Sequence, residues 1–115
     1  MLLYLVQHAE AMSEEEDPSR GLSEEGINNI NKTAVFAGGL NIEALNIVHS
    51  GKKRALQTAE VLADQISSVV ALQESDGLAP KDDPGIWTGR IADMDRDVIL
   101  VGHLPHLAKL SARLL

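Results

Sequence analysis

The chain has 115 residues, no cysteine and a formal net charge of −7, since it contains 17 acidic and 10 basic side chains. This length predicts one domain that spans residues 1–115. The longest apolar run, Met1–Val6, is too short to cross a bilayer, so we expect no membrane protein. Because that run lacks a basic leader and a cleavage site, and no disulfide can form, we expect a cytoplasmic location.

The charge and the aromatic content exclude further classes of function. The chain has no stripe of Lys and Arg that could bind a phosphate backbone, so we expect no nucleic-acid partner. Aromatic residues make up only 3% of the chain, which leaves few platforms on which bases or sugars could stack. Small-molecule or phosphoryl chemistry is therefore favoured.

The first third of the chain predicts a strand, a loop and a helix. The continuous apolar run Leu2–Val6 is typical of a strand covered on both faces, and we predict a central strand there. An acidic loop follows over residues 9–22. Ser23 is the predicted N-cap of a helix whose apolar residues continue at helical spacing as far as Gly38 and Gly39.

The middle of the chain repeats this pattern. Branched residues predict a strand over Ala44–His49, and an apolar stripe with a period of 3.6 predicts a helix over about Lys52–Ser67. A third strand is predicted over Val69–Leu72. Residues 76–89 are rich in Gly, Pro and Asp and predict a long loop, and their pattern leaves open whether residues 86–94 form a helix.

The last part of the chain predicts a fourth strand and a final helix. Asp97–Val101 is typical of a buried strand, and Pro105 suits the first turn of a helix that continues through Leu107, Leu110 and Leu114. Strands and helices thus alternate four times. This alternation predicts an α/β fold with a mostly parallel sheet and helices on both faces.

Three of the four histidines lie where predicted strands end. His8, His49 and His103 occupy these positions, and ligands of parallel sheets bind beyond the carboxyl ends of the strands. Arg54 lies in the first turn of a predicted helix, where a cation opposes the helix dipole and an anion nearby would justify it. Together these residues predict a pocket for a phosphoryl group.

Three segments in order resemble the signatures of the histidine phosphatase superfamily. They are residues 3–11 (LYLVQHAEA), 49–59 (HSGKKRALQTA) and 101–105 (VGHLP). The branch most similar to them is the small phosphohistidine phosphatases of the SixA type, whose loops residues 17–26 and 77–84 also resemble. The resemblance covers the whole chain and implies a three-layer α/β/α sandwich like that of phosphoglycerate mutase.

The resemblance also implies a difference in length. The family domain usually continues past the helix that follows the second histidine into at least one more strand, whereas this chain ends at Leu115. We therefore expect a sheet without the usual last strand. An uncovered strand edge favours association with another chain, so we expect that the protein can form an oligomer through this edge.

The family's catalytic roles transfer to matching positions. The resemblance makes His8 the nucleophile that forms a covalent phosphohistidine intermediate. Arg54 would clamp the oxygens of the phosphoryl group, and His103, in its cationic form, would donate a hydrogen bond to another oxygen. Asp83 is the first candidate for a general acid and Asp82 the second, although a phosphoramidate leaves readily and has less need of an acid.

Other residues are expected around the pocket. Gln7 stands where the family normally has arginine, and since glutamine supplies no charge and no bidentate fork we expect reduced activity. Arg20 is the candidate replacement for that charge. Ser50 and His49 are expected to flank the pocket, with Ser50 also capping the helix, and His106 is expected at the surface or outside direct contact with the substrate.

The sequence supports one main function and leaves two alternatives open. The main interpretation is a phosphatase without a cofactor that acts on phosphohistidine in a protein or on a small phosphoester. A phosphate-binding module that has lost catalysis is the second interpretation. The third is a metal site that uses His8, Glu10, His49, His103 or His106, which no dense ligand motif supports.

Overall fold

The computed structural model describes residues 1–115, and strands and helices alternate along the whole chain. The strands are β1 (Leu3–Gln7), β2 (Asn46–His49), β3 (Ala71–Glu74) and β4 (Val98–Gly102). The helices are α1 (Glu24–Gly38), α2 (Lys53–Gln65), α3 (Gly85–Ala92) and α4 (His106–Leu114). No helix is long and apolar enough to span a membrane.

The four strands form one parallel sheet in the order β1-β4-β2-β3. Gln7 lies opposite Gly102, and His49 lies opposite Val101. The carboxyl ends of β1, β4 and β2 therefore meet at one edge of the sheet. That edge is where the sequence places the predicted pocket.

Helices cover both faces of the sheet. On one face, α1 and α2 contribute Ile30, Ala34, Ala59 and Leu62 to a core that includes Ile99 of β4. On the other face, residues of α3 and α4 form a second core with the sheet. The predicted three-layer α/β/α sandwich is thus confirmed.

The prediction that β1 is central is wrong, because β1 pairs only with β4 and lies at an edge of the sheet. Its continuous apolar run has a different cause. Tyr4 and Val6 pack against one core, and Leu3 and Leu5 pack against the other. A strand between two helical layers needs apolar residues on both faces even when one edge is open.

Two local boundaries also differ from the sequence prediction. The third strand begins at Ala71 rather than Val69, because Ala71 is the residue that pairs with Asn46 of β2, and Val70 is largely exposed. The segment left open forms α3, whose Trp87 and Ile91 face the core. Pairing with β2 sets the start of β3, and packing against the core stabilises α3. The local sequence pattern shows neither of these contacts.

Candidate active site

The site begins with His8, which directly follows β1. Its backbone N–H donates to the Gly102 carbonyl at 3.0 Å, which continues the pairing with β4. The Nδ1 atom of its ring lies 2.7 Å from the Ala9 carbonyl oxygen. Because a carbonyl only accepts hydrogen bonds, Nδ1 must carry the ring proton of the neutral histidine, and Nε2 is left with its lone pair.

The surroundings of His8 favour the neutral ring. Burial is the largest cause and lowers its pKa from the ordinary value of 6.5. The hydrogen bond to Ala9 raises the pKa, whereas the charges of Arg54 and Arg20 lower it further. His8 is therefore uncharged at neutral pH, as a nucleophile must be.

His103 follows β4 and lies beside His8. The centroids of the two rings are 4.9 Å apart, and the ring planes are tilted by 56°. The Nε2 atom of His103 is 2.6 Å from the hydroxyl oxygen of Ser50, while its Nδ1 is buried without a hydrogen-bond partner. The side chain is almost fully enclosed, which holds the ring in one orientation.

The cationic form of His103 that is expected at a bound phosphoryl group is not the form in the free protein. Burial above all, followed by the charges of His8, Arg54 and Lys52, lowers the pKa of His103 to about 4. The ring is therefore neutral at pH 7 until an anion arrives. A bound phosphoryl group would favour the charged ring, since an opposite charge nearby raises the pKa of a histidine.

Arg54 lies in the first turn of α2 and has an incomplete set of partners. Its Nε atom is buried, and the Nε–H group donates a hydrogen bond to no acceptor within the protein. Burial first and then the charge of Arg20 lower the pKa of Arg54, although a guanidinium stays charged at neutral pH. A buried donor without a partner costs free energy, and an anion in the pocket would satisfy it.

The family of the chain follows from a match along most of its length. A family model for the histidine phosphatase superfamily (branch 1) matches residues 3–99. The chain belongs to the histidine phosphatase superfamily. None of the curated proteins compared with it matches in sequence.

Solved structures of this superfamily share the fold. The protein histidine phosphatase SixA complexed with tungstate superimposes with a TM-score of 0.88 at 23% identity, covering 97% of this chain and 75% of that one. A candidate phosphohistidine phosphatase SixA from Agrobacterium tumefaciens has a TM-score of 0.79 at 26% identity, with 96% and 74% covered. A mycobacterial glucosyl-3-phosphoglycerate phosphatase has a TM-score of 0.73 at 18% identity, with 98% and 78% covered.

These matches determine the fold and the class of enzyme. The chain spans about three quarters of the length of each of these structures. The superfamily is one of phosphatases, as are the structures described above, and the chain is accordingly a phosphatase. The substrate is a separate question, because the matched structures differ in the compounds that their names mention.

Thr58 joins the two halves of this histidine phosphatase site, and the sequence analysis missed it. Its hydroxyl donates to the Arg54 carbonyl at 2.8 Å and accepts from the Ala9 N–H at 3.0 Å. The side chain is fully buried. A threonine on the face of a helix whose other residues are Ala and Leu is the signal that could have revealed it, since a buried hydroxyl needs partners.

Arg20 reaches the site from the loop between β1 and α1. Its backbone has a positive φ of 50°, and its Nε donates to the Met12 carbonyl at 3.0 Å. Arg20 and Arg54 line the same surface cleft, and the charge of Arg20 lowers the pKa of both His8 and Arg54. The structure thus brings the candidate replacement for the missing arginine to the pocket.

Gln7 differs from Arg20 in its exposure and in its hydrogen bonding. It is exposed, and its side-chain amide forms no hydrogen bond within the protein. Arg20 remains the expected replacement for the charge that the family normally has at this position.

A polar cleft opens beside Arg54. Its volume is about 320 Å³, and no hydrophobic side chain lines it. The lining residues are Glu14, Pro18, Ser19, Arg20, Lys52, Lys53 and Arg54. Four cations and one carboxylate therefore surround this space in a protein whose net charge is −7.

Ser50 lies beside His103, and its hydroxyl is 2.6 Å from Nε2 of that ring. The hydroxyl also accepts from the Lys52 N–H at 3.4 Å. Ser50 is not the N-cap residue of α2, because that position is Lys52 and no side chain makes a capping bond there. His49 is buried, its Nδ1 accepts from the Gly51 N–H at 3.1 Å, and it thereby holds the turn that leads into α2.

The structure does not bring Asp83 to the histidines. Asp83 accepts from the Gly85 N–H at 2.8 Å, and its exposed carboxylate lies 3.6 Å from Arg113 of α4. Asp82 accepts from the Ala79 N–H at 3.0 Å and lies close enough to His106 to raise its pKa. Loop composition alone could not decide which of the two adjacent carboxylates faces inward.

His106 is fully buried, so the expectation of a surface position is wrong. Neither of its ring nitrogens has a hydrogen-bond partner. Burial, more than any other cause, lowers its pKa. The helix turns His106 towards the core, one turn after His103.

The residues named for a metal site are not grouped as such a site requires. No cluster of three or more His, Asp or Glu side chains could hold a metal ion. Glu10, for example, accepts from the Ser23 hydroxyl at 2.9 Å at the start of α1.

Proposed function

We propose that the chain hydrolyses phosphohistidine in a phosphorylated protein, with phosphorylated His8 as the covalent intermediate. The observation that supports this most directly is the 2.7 Å hydrogen bond from His8 Nδ1 to the Ala9 carbonyl. Since that bond uses the one ring proton of neutral histidine, the lone pair on Nε2 is available to attack phosphorus.

The first step transfers the phosphoryl group to His8. Nε2 forms a bond to phosphorus while the P–N bond of the substrate breaks, and the leaving imidazole takes a proton from solvent. Arg54 donates hydrogen bonds to the phosphoryl oxygens. His103, which gains a proton in the field of the bound anion, donates another.

The second step releases the phosphate. A water oxygen attacks the phosphorus of the intermediate, the bond from Nε2 to phosphorus breaks, and orthophosphate leaves with both hydrogens of the water. His8 returns to its neutral form with the proton on Nδ1. Two displacements of moderate difficulty thus replace one difficult displacement.

The position of Asp83, the first candidate for a general acid, favours a phosphoramidate over a phosphoester. No carboxylate forms an ion pair with His8, Arg54 or His103, and Asp83 is paired with Arg113 instead. An alkoxide leaves only slowly without a proton donor, whereas the P–N bond of phosphohistidine is labile. A protein substrate also agrees with an open, polar cleft.

The test is release of orthophosphate from a phosphohistidine peptide by the wild type and by His8→Ala. We expect turnover by the wild type, none by His8→Ala, and an acid-labile phosphoryl group on Nε2 of His8 when the reaction is quenched early. His49→Ala is the matched control for loss of a histidine at a strand end. Turnover that survives His8→Ala would contradict the proposal.

Gln7 favours one other function, namely a module that binds phosphorylated groups without hydrolysing them. The chain has no arginine next to the nucleophile, and Gln7 adds no charge to the pocket. Such a module would bind phosphate at His8 and Arg54 and release none from any phosphohistidine or phosphoester substrate. The same assay, combined with a binding titration, separates the two functions.

A further inference from the structure

We propose that Lys52 binds a second anionic group of the substrate, next to the phosphoryl group that is transferred. This inference rests on the proposed function for the position of the reacting phosphorus. The second anion would be a carboxylate beside phosphohistidine in a peptide or a second phosphate of a small molecule. It would occupy the cationic cleft, by which we mean the space lined by Arg20, Lys52, Lys53 and Arg54.

The cationic cleft lies next to His103. Lys52, which lines the cleft, donates its backbone N–H to the Ser50 hydroxyl at 3.4 Å, and that hydroxyl lies 2.6 Å from Nε2 of His103. Arg54 lines the cleft and lowers the pKa of His8 and of His103. The charge of Lys52 also acts on His103. A substrate whose phosphorus lies at His8 therefore has the cleft directly beside it.

The cleft holds more positive charge than one phosphoryl group requires. Arg54, Arg20 and protonated His103 already surround the reacting group, so the ammonium group of Lys52 is additional. Lys52 is exposed and forms no ion pair within the protein. Its charge is thus available to a ligand.

Lys53 differs from its neighbour. Its Nζ lies 3.3 Å from the Asp17 carboxylate, which also accepts from the Gly21 N–H at 2.9 Å. Lys53 therefore helps to hold the loop that contains Arg20. Of the two adjacent lysines, only Lys52 has no carboxylate partner, and this difference supplies a matched control.

The lining of the cleft also excludes an apolar group at this position. None of its side chains is hydrophobic, and Glu14 is its one carboxylate. Four of the ten Lys and Arg residues of a chain with net charge −7 meet here, so anions are attracted to this part of the surface and repelled by the rest.

The first experiment measures binding without catalysis. Calorimetric titrations compare methylphosphonate with methylenediphosphonate, which carries two anionic groups and resists hydrolysis. We expect the wild type to bind the diphosphonate up to about fivefold more tightly, as one additional ion pair at an exposed site implies. This preference should diminish at high salt, because exposed charges are screened.

Lysine variants test which residue causes the preference for the diphosphonate. Lys52→Gln should bind the two phosphonates about equally, and Lys52→Glu should reverse the preference. Lys53→Gln should retain most of the preference, and Lys32→Gln on α1 should retain all of it. Backbone chemical shifts of each variant report whether it is folded. Equal binding of the two phosphonates by the wild type, or an unchanged preference in Lys52→Gln, would overturn the proposal.

The second experiment distinguishes the sources of the anion. Two phosphohistidine peptides differ only in having Asp and Glu, or Asn and Gln, beside the phosphohistidine. If the natural ligand is a protein, the acidic peptide has the lower KM, and Lys52→Gln raises that KM without changing kcat. A preference for the diphosphonate alone indicates a small molecule with two phosphates.

If neither comparison shows a preference, the proposal is wrong, even if both peptides are hydrolysed. If neither peptide is hydrolysed while the diphosphonate is preferred, only the proposed function fails.

Discussion

At the scale of single residues, the site depends on which histidine is charged and when. His8 is held neutral with its proton on Nδ1, so that Nε2 can act as the nucleophile. His103 is also neutral in the free protein, since burial and the neighbouring cations lower its pKa to about 4. Binding of an anion must therefore be accompanied by uptake of a proton at His103.

Sulfate binding should become tighter as the pH falls from 8 to 6. Sulfate keeps its two charges over this range, so any change in affinity reports on the protein, and protonated His103 binds the anion better than neutral His103. NMR titration of the histidine rings should show a higher pKa for His103 with sulfate than without it. His103→Gln should bind sulfate with little dependence on pH. A pKa of His103 that sulfate leaves unchanged would contradict the prediction.

Replacement of Gln7 by arginine should increase turnover by about one to two decades. A hydrogen bond to a charged group contributes about 1.5–3 kcal/mol, and one that strengthens in the transition state lowers the barrier by that amount. The side chain of Gln7 is exposed and forms no hydrogen bond, so the change breaks no existing contact. Single-turnover measurement of the chemical step by Gln7→Arg tests this.

The alternative outcome concerns Arg20. If the wild type is already fast and Gln7→Arg changes nothing, Arg20 supplies the missing charge. Arg20→Ala should then lower turnover by a similar factor, since the charge of Arg20 acts on both His8 and Arg54.

At the scale of elements, α2 organises the site through one turn of helix. Arg54 lines the polar cleft, and Thr58, one turn later, bonds both to the Arg54 carbonyl and to the segment after His8. Gln57 accepts from the Leu22 N–H at 2.7 Å and holds the far end of the loop. A single helix therefore contacts the segment after His8, contains Arg54 and holds the loop that contains Arg20.

Thr58→Val should lower both stability and turnover. The change leaves the partly buried Ala9 N–H without an acceptor, which costs about 1 kcal/mol of unfolding free energy, the low end of the range for an unsatisfied donor. The segment after His8 also loses its attachment to α2. Urea unfolding and kcat measure the two effects. Thr33→Val on α1 is the matched control, since Thr33 makes the same bond to a helix carbonyl at 3.1 Å but is exposed. Thr58→Ser keeps the hydroxyl and should retain most of the activity.

At the scale of the whole molecule, the histidines make stability depend on pH. The pKa of each of the four is lowered, mainly by burial. The unfolded chain therefore binds more protons than the folded one below the ordinary value of 6.5. The histidines should reduce stability as the pH falls through this value towards about 4, the pKa of His103.

Urea unfolding at pH 7.5 and at pH 5.0 tests this expectation, with the fluorescence of the single tryptophan, buried Trp87, as the signal. The midpoint should be lower at pH 5.0. His106→Leu should reduce the difference between the two midpoints, because it removes one buried titratable ring that has no hydrogen bond. Asp17 and Asp76 have pKa values below the ordinary 3.8, so they lose their contributions to stability only at a pH below both conditions of this test. A midpoint equal at both pH values would contradict the assignment.

Hydrophobic pattern and chain order predicted the four strands and three of the four helices, and they placed His8 and His103 after strands and Arg54 at the start of a helix. Hydrophobic periodicity reports which faces of an element are covered, and chain order alone places residues at the ends of strands. The predicted N-cap Ser23 is confirmed for the same reason, since its bond to the Gly26 N–H at 3.0 Å is local.

Only the tertiary structure decided that β1 lies at an edge, that His103 is neutral and that Asp83 pairs with Arg113. Each of these facts depends on groups distant in the sequence, and an apolar run looks the same in a central strand and in an edge strand between two layers. The pKa of a buried ring likewise depends on the charges that folding brings around it, so the neutral state of His103 follows only from the folded chain. The bridging role of Thr58 also depends on a contact between residues distant in the sequence.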